Sequence, residues 1–365
     1  MKTHGGSSLR GKAPQETACS DWTIFFPPGT SVLALPGWQN PRLCLPTHNP
    51  VQRWKLSSFY PAFRLRGRLL RLLFRFKATA KVAAVHNVRS SSWPLGEFIQ
   101  DVLPQVTTTV VMVGTPSPAQ EITVQLWDNK DQVLGYIKYA EKEAARTRLR
   151  RELFMLSNLP EEVGPEPIKF GALGGGEALL KSVLPGKPLV RALLPPPKEL
   201  SGLLDSLVVG PAVPLEDHPW VRRLRNLGTP ELDTMFEPLV GRYWPVTIQH
   251  GDLAPWNLLR RSDGVLRAVD WEYGTLEGFL GLDLAHYILQ TSALIFNRDP
   301  LKSAWYAAWY LSERSNLTLN SAESYALVRL AAYDAYQKLA EDGQFHDDGQ
   351  QPWRRTIWKS ESPVA

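Results

Sequence analysis

His250-Gly251-Asp252-Leu253-Ala254-Pro255-Trp256-Asn257, followed by Val269-Asp270-Trp271-Glu272, is the stretch whose reading decides the fold. The apolar run Val246–Ile248 leads into the first block and Leu266–Val269 into the second, with Ser262-Asp263-Gly264 as a turn between them. Two carboxylates and an amide therefore emerge from the ends of short strands around one hairpin. An Asp, an Asn five positions on, and a second Asp thirteen residues after the Asn suit phosphoryl transfer. Asp252 would align an acceptor hydroxyl and take its proton, while Asn257 and Asp270 would offer oxygen ligands to Mg²⁺ on ATP.

These blocks resemble the catalytic loop and metal-binding segment of the aminoglycoside phosphotransferase and choline kinase superfamily. Its relatives, the protein kinases, carry H-R-D-x4-N and D-F-G at the same places. Gly251 and the Trp271-Glu272 after Asp270 point to the small-molecule branch. So does Asp283-Leu284-Ala285-His286, since in that branch an aspartate before a helix commonly braces the catalytic segment. The resemblance implies a lysine on the third strand of the upstream lobe and a glutamate in the next helix. Lys138 supplies the first and would hold the α- and β-phosphates; Glu152, fourteen residues later, would orient it. A surface lysine would look the same, and Glu141 and Glu143 lie nearby. The Arg150-Arg151-Glu152-Leu153 setting favours Glu152. The resemblance also implies a hinge at Lys181–Leu184, with backbone groups from Ser182 to Leu184 reaching adenine. It gives His250 a bracing role through hydrogen bonds.

Upstream, Thr107–Val113, Glu121–Trp127 and Val133–Tyr139 are β-branched or alternating runs that predict a three-strand antiparallel meander. A charged helix over Ala140–Leu159 follows, with an apolar stripe through Ala145, Leu149, Leu153 and Leu156. Leu179–Leu184 reads as a strand ended by Pro185-Gly186. After Pro195–Pro197 the chain is expected to be mostly helical to Asp342. One departure from the kinase pattern is the loop Gly114-Thr115-Pro116-Ser117-Pro118-Ala119, which has no G-x-G-x-x-G. Pro116 and Pro118 each remove a backbone N–H that could cradle phosphate; Thr115 and Ser117 offer hydroxyls. Trp256 and Trp271 flank the catalytic residues and are expected to pack in the core. No G-x-S-x-G supports a hydrolase.

The resemblance spans Thr107–Asp342, about two-thirds of the 365 residues, and leaves the first hundred uncovered. Those hold fourteen Lys/Arg against three Asp/Glu, a net of +11, which leaves the rest at −6 within a total of +5. The whole chain is 44% apolar and 21% charged, with mean hydropathy −0.21. That composition excludes a wholly disordered or collagen-like chain. No window approaches the roughly 18 unbroken apolar residues of a membrane span, and Met1–Gly11 lacks a secretory apolar core. Cys19 and Cys44 make no disulfide framework and no zinc site, which fits a reducing compartment, though one bridge between them stays open.

Residues 1–20 read as a frayed tail, and Trp22–Thr47 as a small β-rich appendage of short strands and turns. Tyr60–Lys81 holds seven basic residues and no acid. Within it Phe63, Leu70, Leu73, Phe74 and Lys77 share one helical side, and Arg64, Arg68, Arg71 and Arg75 another. Such a helix suits an anionic membrane surface. It equally suits a helix packing its Leu/Phe side on the next domain with arginines in water, and Gly67 and the limited length favour that.

For the acceptor, Trp305/Trp309 and Tyr306/Tyr310 form two i,i+4 stripes that could stack on a sugar or hold a cationic head group, or simply pack between helices. Tyr333 and Tyr336 add to this aromatic half. Glu341-Asp342 with Asp347-Asp348 reads as a solvated charge run. The basic excess lies outside the kinase-like part and lacks a nucleic-acid module, so no nucleic-acid partner is expected.

The expected fold is α+β, a two-lobed protein-kinase-like architecture. Residues 1–104 form a basic extension, 105–185 a β-rich N-lobe, 186–345 a helical C-lobe and 346–365 a tail. The expected function is Mg²⁺- and ATP-dependent transfer to a small-molecule hydroxyl of a sugar, amino sugar or amino alcohol. The expected site is cytoplasmic, or peripheral to a membrane through Phe63–Lys77. The rivals are a non-catalytic nucleotide- or partner-binding module and a membrane-surface kinase acting on a lipid or glycan carrier.

Overall fold

The computed structural model describes residues 22–47, 49–62, 65–80, 85–189, 194–229, 231–343 and 347–361. One antiparallel sheet is built from β1 (Ser31–Leu35), β2 (Leu43–Pro46), β3 (Val85–Asn87), β4 (Thr108–Val113), β5 (Ile122–Trp127), β6 (Val133–Ala140), β7 (Pro167–Leu173) and β8 (Gly176–Lys181). Their order is β3-β1-β2-β4-β5-β6-β8-β7. The expected meander is β4-β5-β6. Its second turn is closed by Asp128, whose carboxylate accepts the N–H groups of Lys130 and Gln132 at 2.9 and 2.8 Å.

Trp22–Thr47 is not an appendage beside this sheet but part of it. Leu43 and Cys44 of β2 pair with Met112 and Val111 of β4. Successive residues alternate between two buried faces. Val32, Ala34, Cys44 and Val111 pack with Trp22, Phe25 and Phe26, and with Leu95, Phe98 and Ile99 from a short later helix. Leu33, Leu35, Leu43, Leu45 and Val110 turn the other way, where α1 (Pro50–Leu56) and α2 (Leu65–Thr79) cover them with Leu56, Phe74 and Ala78. A boundary at 104/105 therefore separates strands of a single sheet.

The amphipathic helix is α2, but its facing differs from the expected stripe. Of Leu70, Leu73 and Phe74 only Phe74 reaches the core, joined by Ala78 one turn on. Leu69, Leu70, Leu72, Leu73 and Phe76 face outward. Phe63, Arg64 and Cys19 lie outside the described residues, whereas Cys44 is buried in the sheet.

The short helix above is α3 (Pro94–Ile99), and β6 runs into α4 (Glu143–Leu156), which buries Ala145, Leu149, Met155 and Leu156 and, on the same stripe, Glu152. Residues 182–186 carry the chain out of the large sheet. Six further strands follow: β9 (Lys187–Pro188), β10 (Val208–Pro214), β11 (Tyr243–Gln249), β12 (Leu258–Arg260), β13 (Leu266–Ala268) and β14 (Thr275–Phe279). They form two small sheets, β10-β11-β14 and β13-β12-β9. Around them lie α5 (Glu199–Ser206), α6 (Pro219–Arg225), α7 (Glu231–Phe236), α8 (Leu282–Leu294), α9 (Pro300–Glu313), α10 (Ser321–Glu341) and α11 (Gln351–Trp358). A capping box, Asn320 with Glu323, starts α10. Its buried face holds Tyr333 and Tyr336, on which Trp358 of α11 packs. So the expected tail contributes a packed helix. The architecture is α+β and two-lobed, with a β-rich N-lobe and a mainly helical C-lobe.

Candidate active site

β11 delivers the chain to His250 and Gly251, and α8 fixes the turn that these two residues make. The Asp283 carboxylate, in the first turn of α8, accepts the N–H of His250 at 2.6 Å and that of Gly251 at 2.9 Å. Gly251 has φ +80, and a Cβ there would lie 2.3 Å from the Tyr273 carbonyl oxygen, so the turn admits only glycine. His250 Nδ1 accepts the Asp252 N–H at 3.3 Å while Nε2 meets the Val269 carbonyl at 2.9 Å. One neutral tautomer satisfies both bonds, and the ring lies 4.6 Å from Trp271. His250 thus ties the first block to the second and leaves no ring nitrogen for chemistry.

Asp252 faces a cleft. Asn257 Nδ2 donates to the Asp252 carbonyl at 2.9 Å and to its Oδ2 at 3.2 Å, while His286 Nε2 sits 3.2 Å from Oδ1 and Gln290 Nε2 3.5 Å. Enclosure pushes this carboxyl up, but the hydrogen bond and electrostatic pull of His286 outweigh it. The net direction is down, so Asp252 is ionised at neutral pH. The Val269 N–H donates to the Asn257 carbonyl at 2.9 Å, which fixes Asp270 beside the same cleft. Asp270 has φ +71, a conformation that Asp and Asn tolerate better than most residues. Enclosure raises its pKa; Lys138 and Lys181 more than offset that and bring it to about 2.

Lys138 reaches across from the N-lobe to Asp270. Its Nζ also lies 2.9 Å from Glu152, 2.7 Å from Glu272 and 3.4 Å from Glu121. Glu152 is wholly buried and takes a second cation, Lys181, at 2.5 Å. Glu143 instead pairs with Arg150 at the surface. Burial lowers the Lys138 pKa and the four carboxylates raise it more, so the ammonium is held well charged. Carboxyl groups outnumber cations in this cluster, four against Lys138, Lys181 and Arg148, the last reaching Glu272 at 3.7 Å. Glu121 shows the consequence: burial, then Glu272, push its pKa well up despite Lys138. Among the described residues, carboxylate oxygens of Glu152, Asp270 and Glu272 lie within 4.8 Å of one another, hard donors of the kind a divalent cation takes.

At the hinge, Ser182 donates its N–H to the Glu166 carbonyl at 2.9 Å, and its hydroxyl accepts the Glu166 N–H at 2.9 Å. Ser182 is thereby committed to β7's lead-in, and Leu184 is buried at the crossing between lobes.

On the far side of Asp252 lies a cavity of about 340 Å³, lined among others by Trp256, Tyr273, His286, Lys338 and Arg354. Trp256 faces this space rather than the core, unlike the fully buried Trp271. Arg354 is 6% exposed and has no carboxylate within 4 Å among the described residues. Lys338 Nζ pairs with Asp334 at 2.7 Å. The aromatic residues of α9 do not line this cavity. Trp305 and Trp309 point to solvent, while Tyr306 and Tyr310 pack on the helical core. Asp342 is no solvated charge either: it pairs with Arg148 and accepts the Tyr273 hydroxyl at 2.7 Å.

Several of these groups escaped the sequence. Lys181 and Glu121 share the face of the sheet that carries Lys138, because Lys181 opposes Tyr136 and Lys138 opposes Thr123. Alternation alone marks that face once the register is known. His286 and Gln290 are an i,i+4 pair on α8, a spacing visible beforehand. Arg354 had no local signal.

No family model matches the chain, and no curated protein matches it. Among solved structures it is similar to an ethanolamine kinase of Plasmodium vivax, at 13% identity and TM-score 0.41, over 67% of this chain and 80% of that one. It is similar to an aminoglycoside phosphotransferase of Streptomyces rimosus, at 16% identity and TM-score 0.38, over 66% and 97%. It is also similar to a choline kinase of Streptococcus pneumoniae, at 13% identity and TM-score 0.39, over 73% and 95%.

Proposed function

We propose that the chain is an ATP-dependent phosphotransferase that moves the γ-phosphate to a hydroxyl of a small molecule. What carries this reading is the meeting of two lobes at one point. The Lys138–Glu152 pair of the N-lobe touches Asp270, and Asp270 stands beside the Asp252–Asn257 pair of the C-lobe. Asp252, with Oδ1 held by His286 and Gln290, orients the acceptor hydroxyl and accepts its proton. The hydroxyl oxygen forms the new bond to phosphorus. The bond from phosphorus to the β–γ bridging oxygen breaks, and ADP leaves with that electron pair. Lys138, oriented by Glu152, holds phosphate oxygens. Asn257 and Asp270 would hold Mg²⁺, which would neutralise phosphate charge when bound. Adenine is met by the hinge backbone at Val183 and Leu184, since the Ser182 N–H is spent on Glu166.

The acceptor reading follows the cavity rather than the aromatic helix. Arg354 is a buried cation facing Asp252 with no carboxylate partner among the described residues, which disfavours a polyamine and favours a hydroxylated molecule bearing a carboxylate or phosphate. The test is ADP release with Mg²⁺-ATP against a panel of neutral, acidic and amino sugars and amino alcohols, run beside Asp252→Asn. Turnover with an acidic member, lost in the variant, supports the reading; equal turnover in the variant removes Asp252 from its role.

One observation favours the non-catalytic alternative. In the 114–121 loop, Gly114 and Gln120 spend their N–H groups on Glu121 and Ser117 carbonyls, and Pro116 and Pro118 have none. That loop offers phosphate few donors. ATP binding without ADP release for any acceptor is the result this alternative requires.

A further inference from the structure

The outward face of α2 inverts the usual pattern of a surface helix, which turns charge to water and apolar residues to the core. Leu69, Leu72, Leu73 and Phe76 are 59%, 56%, 43% and 66% exposed. At helical spacing they occupy an arc of about 100°, opposite Phe74 and Ala78. Arg68 and Arg75 border this crest on one side, and Arg66 and Lys77 on the other. No acid occurs from residue 60 to 81. The neighbouring α1 adds exposed Val51 and Trp54, with Arg75 stacked 4.8 Å over the Trp54 ring. The cations are crowded: after burial, the charges of Arg75 and Arg68 hold Arg71 below its usual value.

We propose that α2, with the tip of α1, docks this chain on an anionic phospholipid surface. An apolar crest between two cationic borders lets leucines and Phe76 enter the acyl boundary while the guanidinium groups meet phosphate and carboxylate head groups. Charge complementarity selects this occupant over two others. A second copy would bring two cationic borders together. Residues 1–21 carry three Lys/Arg against two Asp/Glu and offer no acidic run to match. Among the described residues no helix is long and apolar enough to cross a membrane, so the contact is one of lying on the surface.

The test uses the full chain in sedimentation with vesicles of phosphatidylcholine alone or mixed equally with phosphatidylserine. Wild type is expected to bind the mixed vesicles at low salt, to ignore the neutral ones, and to be released near molar salt. Leu69→Ser/Leu72→Ser/Phe76→Ser changes only exposed side chains, and its unfolding temperature should match wild type. It should bind at least about tenfold more weakly, given the apolar area withdrawn. Arg66→Glu/Arg68→Glu should lose binding to the mixed vesicles as well. Three results overturn the proposal. The first is no binding of wild type to the mixed vesicles at low salt. The second is a crest variant that binds like wild type, which would leave charge alone at work. The third is a wild-type dimer that the crest variant does not form, with no vesicle binding, which would assign the face to a second copy.

Discussion

Asp283 offers the sharpest perturbation, because two backbone donors depend on one buried carboxylate. Its oxygens accept the N–H groups of His250 and Gly251 at 2.6 and 2.9 Å, and the residue is 5% exposed. Asp283→Ala leaves both donors without an acceptor. Hydrogen bonds to a charged group contribute about 1.5–3 kcal/mol each, so the pair sets a loss of about 3–6 kcal/mol, toward the lower end if water enters. For a lobe of this size that is a fall in unfolding temperature of order 10 °C. The same loop carries Asp252, and a displacement of about 1 Å at a reacting group costs on the order of a hundredfold in rate. Asp283→Asn should fall between, because its amide oxygen can still accept one N–H while its NH₂ opposes the other. Thermal unfolding and kcat of the two variants are the assay. An Asp283→Ala protein with wild-type unfolding temperature and wild-type turnover would refute the bracing argument.

Two further outcomes rest on the charges. Glu121 binds its proton more tightly folded than unfolded, so its contribution favours the fold at low pH and is lost as pH rises above the ordinary carboxylate value. In metal-free buffer, Glu121→Gln should therefore unfold at a higher temperature than wild type at neutral pH, with the gap closing as pH falls below that value. An unchanged gap across pH would show that Glu121 carries no such strain. Arg354→Gln should raise KM for an acidic acceptor about tenfold or more with a smaller change in kcat, since it removes a charge-assisted bond to the acceptor. A fall confined to kcat would place Arg354 on the phosphoryl group in flight instead.

Geometry that lies within one hairpin was legible in the sequence, and geometry that depends on register or distant packing was not. Asp252, Asn257 and Asp270 sit on one hairpin, so their spacing already brings them near one cleft. The Lys138–Glu152 pair needed only one strand and the helix after it. Lys181 and Glu121 join the same cluster through cross-strand neighbours, and nothing in a single sequence sets that register. Arg354 arrives on α11, whose docking depends on Ile357 and Trp358 against α10. The facing of α2 failed for a different reason: leucines and phenylalanines span more than half of its circumference, so periodicity could not say which part of that arc the sheet would claim. In the first strands, Val32–Leu35 is apolar at every position, the mark of a strand covered on both faces. The turn residues around that run speak more loudly than the run itself, and they suggest short separate strands rather than a sheet shared with β4.

A Mg²⁺-ATP site organised by Asp270 is the centre of this mechanism, and thermal unfolding with ATP in the presence and absence of Mg²⁺ tests it most directly. Asp270→Asn is the control, since Asn tolerates the φ of +71 found there. With nucleotide at about a hundredfold its dissociation constant, binding should add about 2.7 kcal/mol of stability and raise the wild-type midpoint by several degrees. That rise is expected only with Mg²⁺ present, and it should be lost in Asp270→Asn. A wild-type midpoint that ignores Mg²⁺-ATP, or a rise that survives the substitution undiminished, would contradict the assignment.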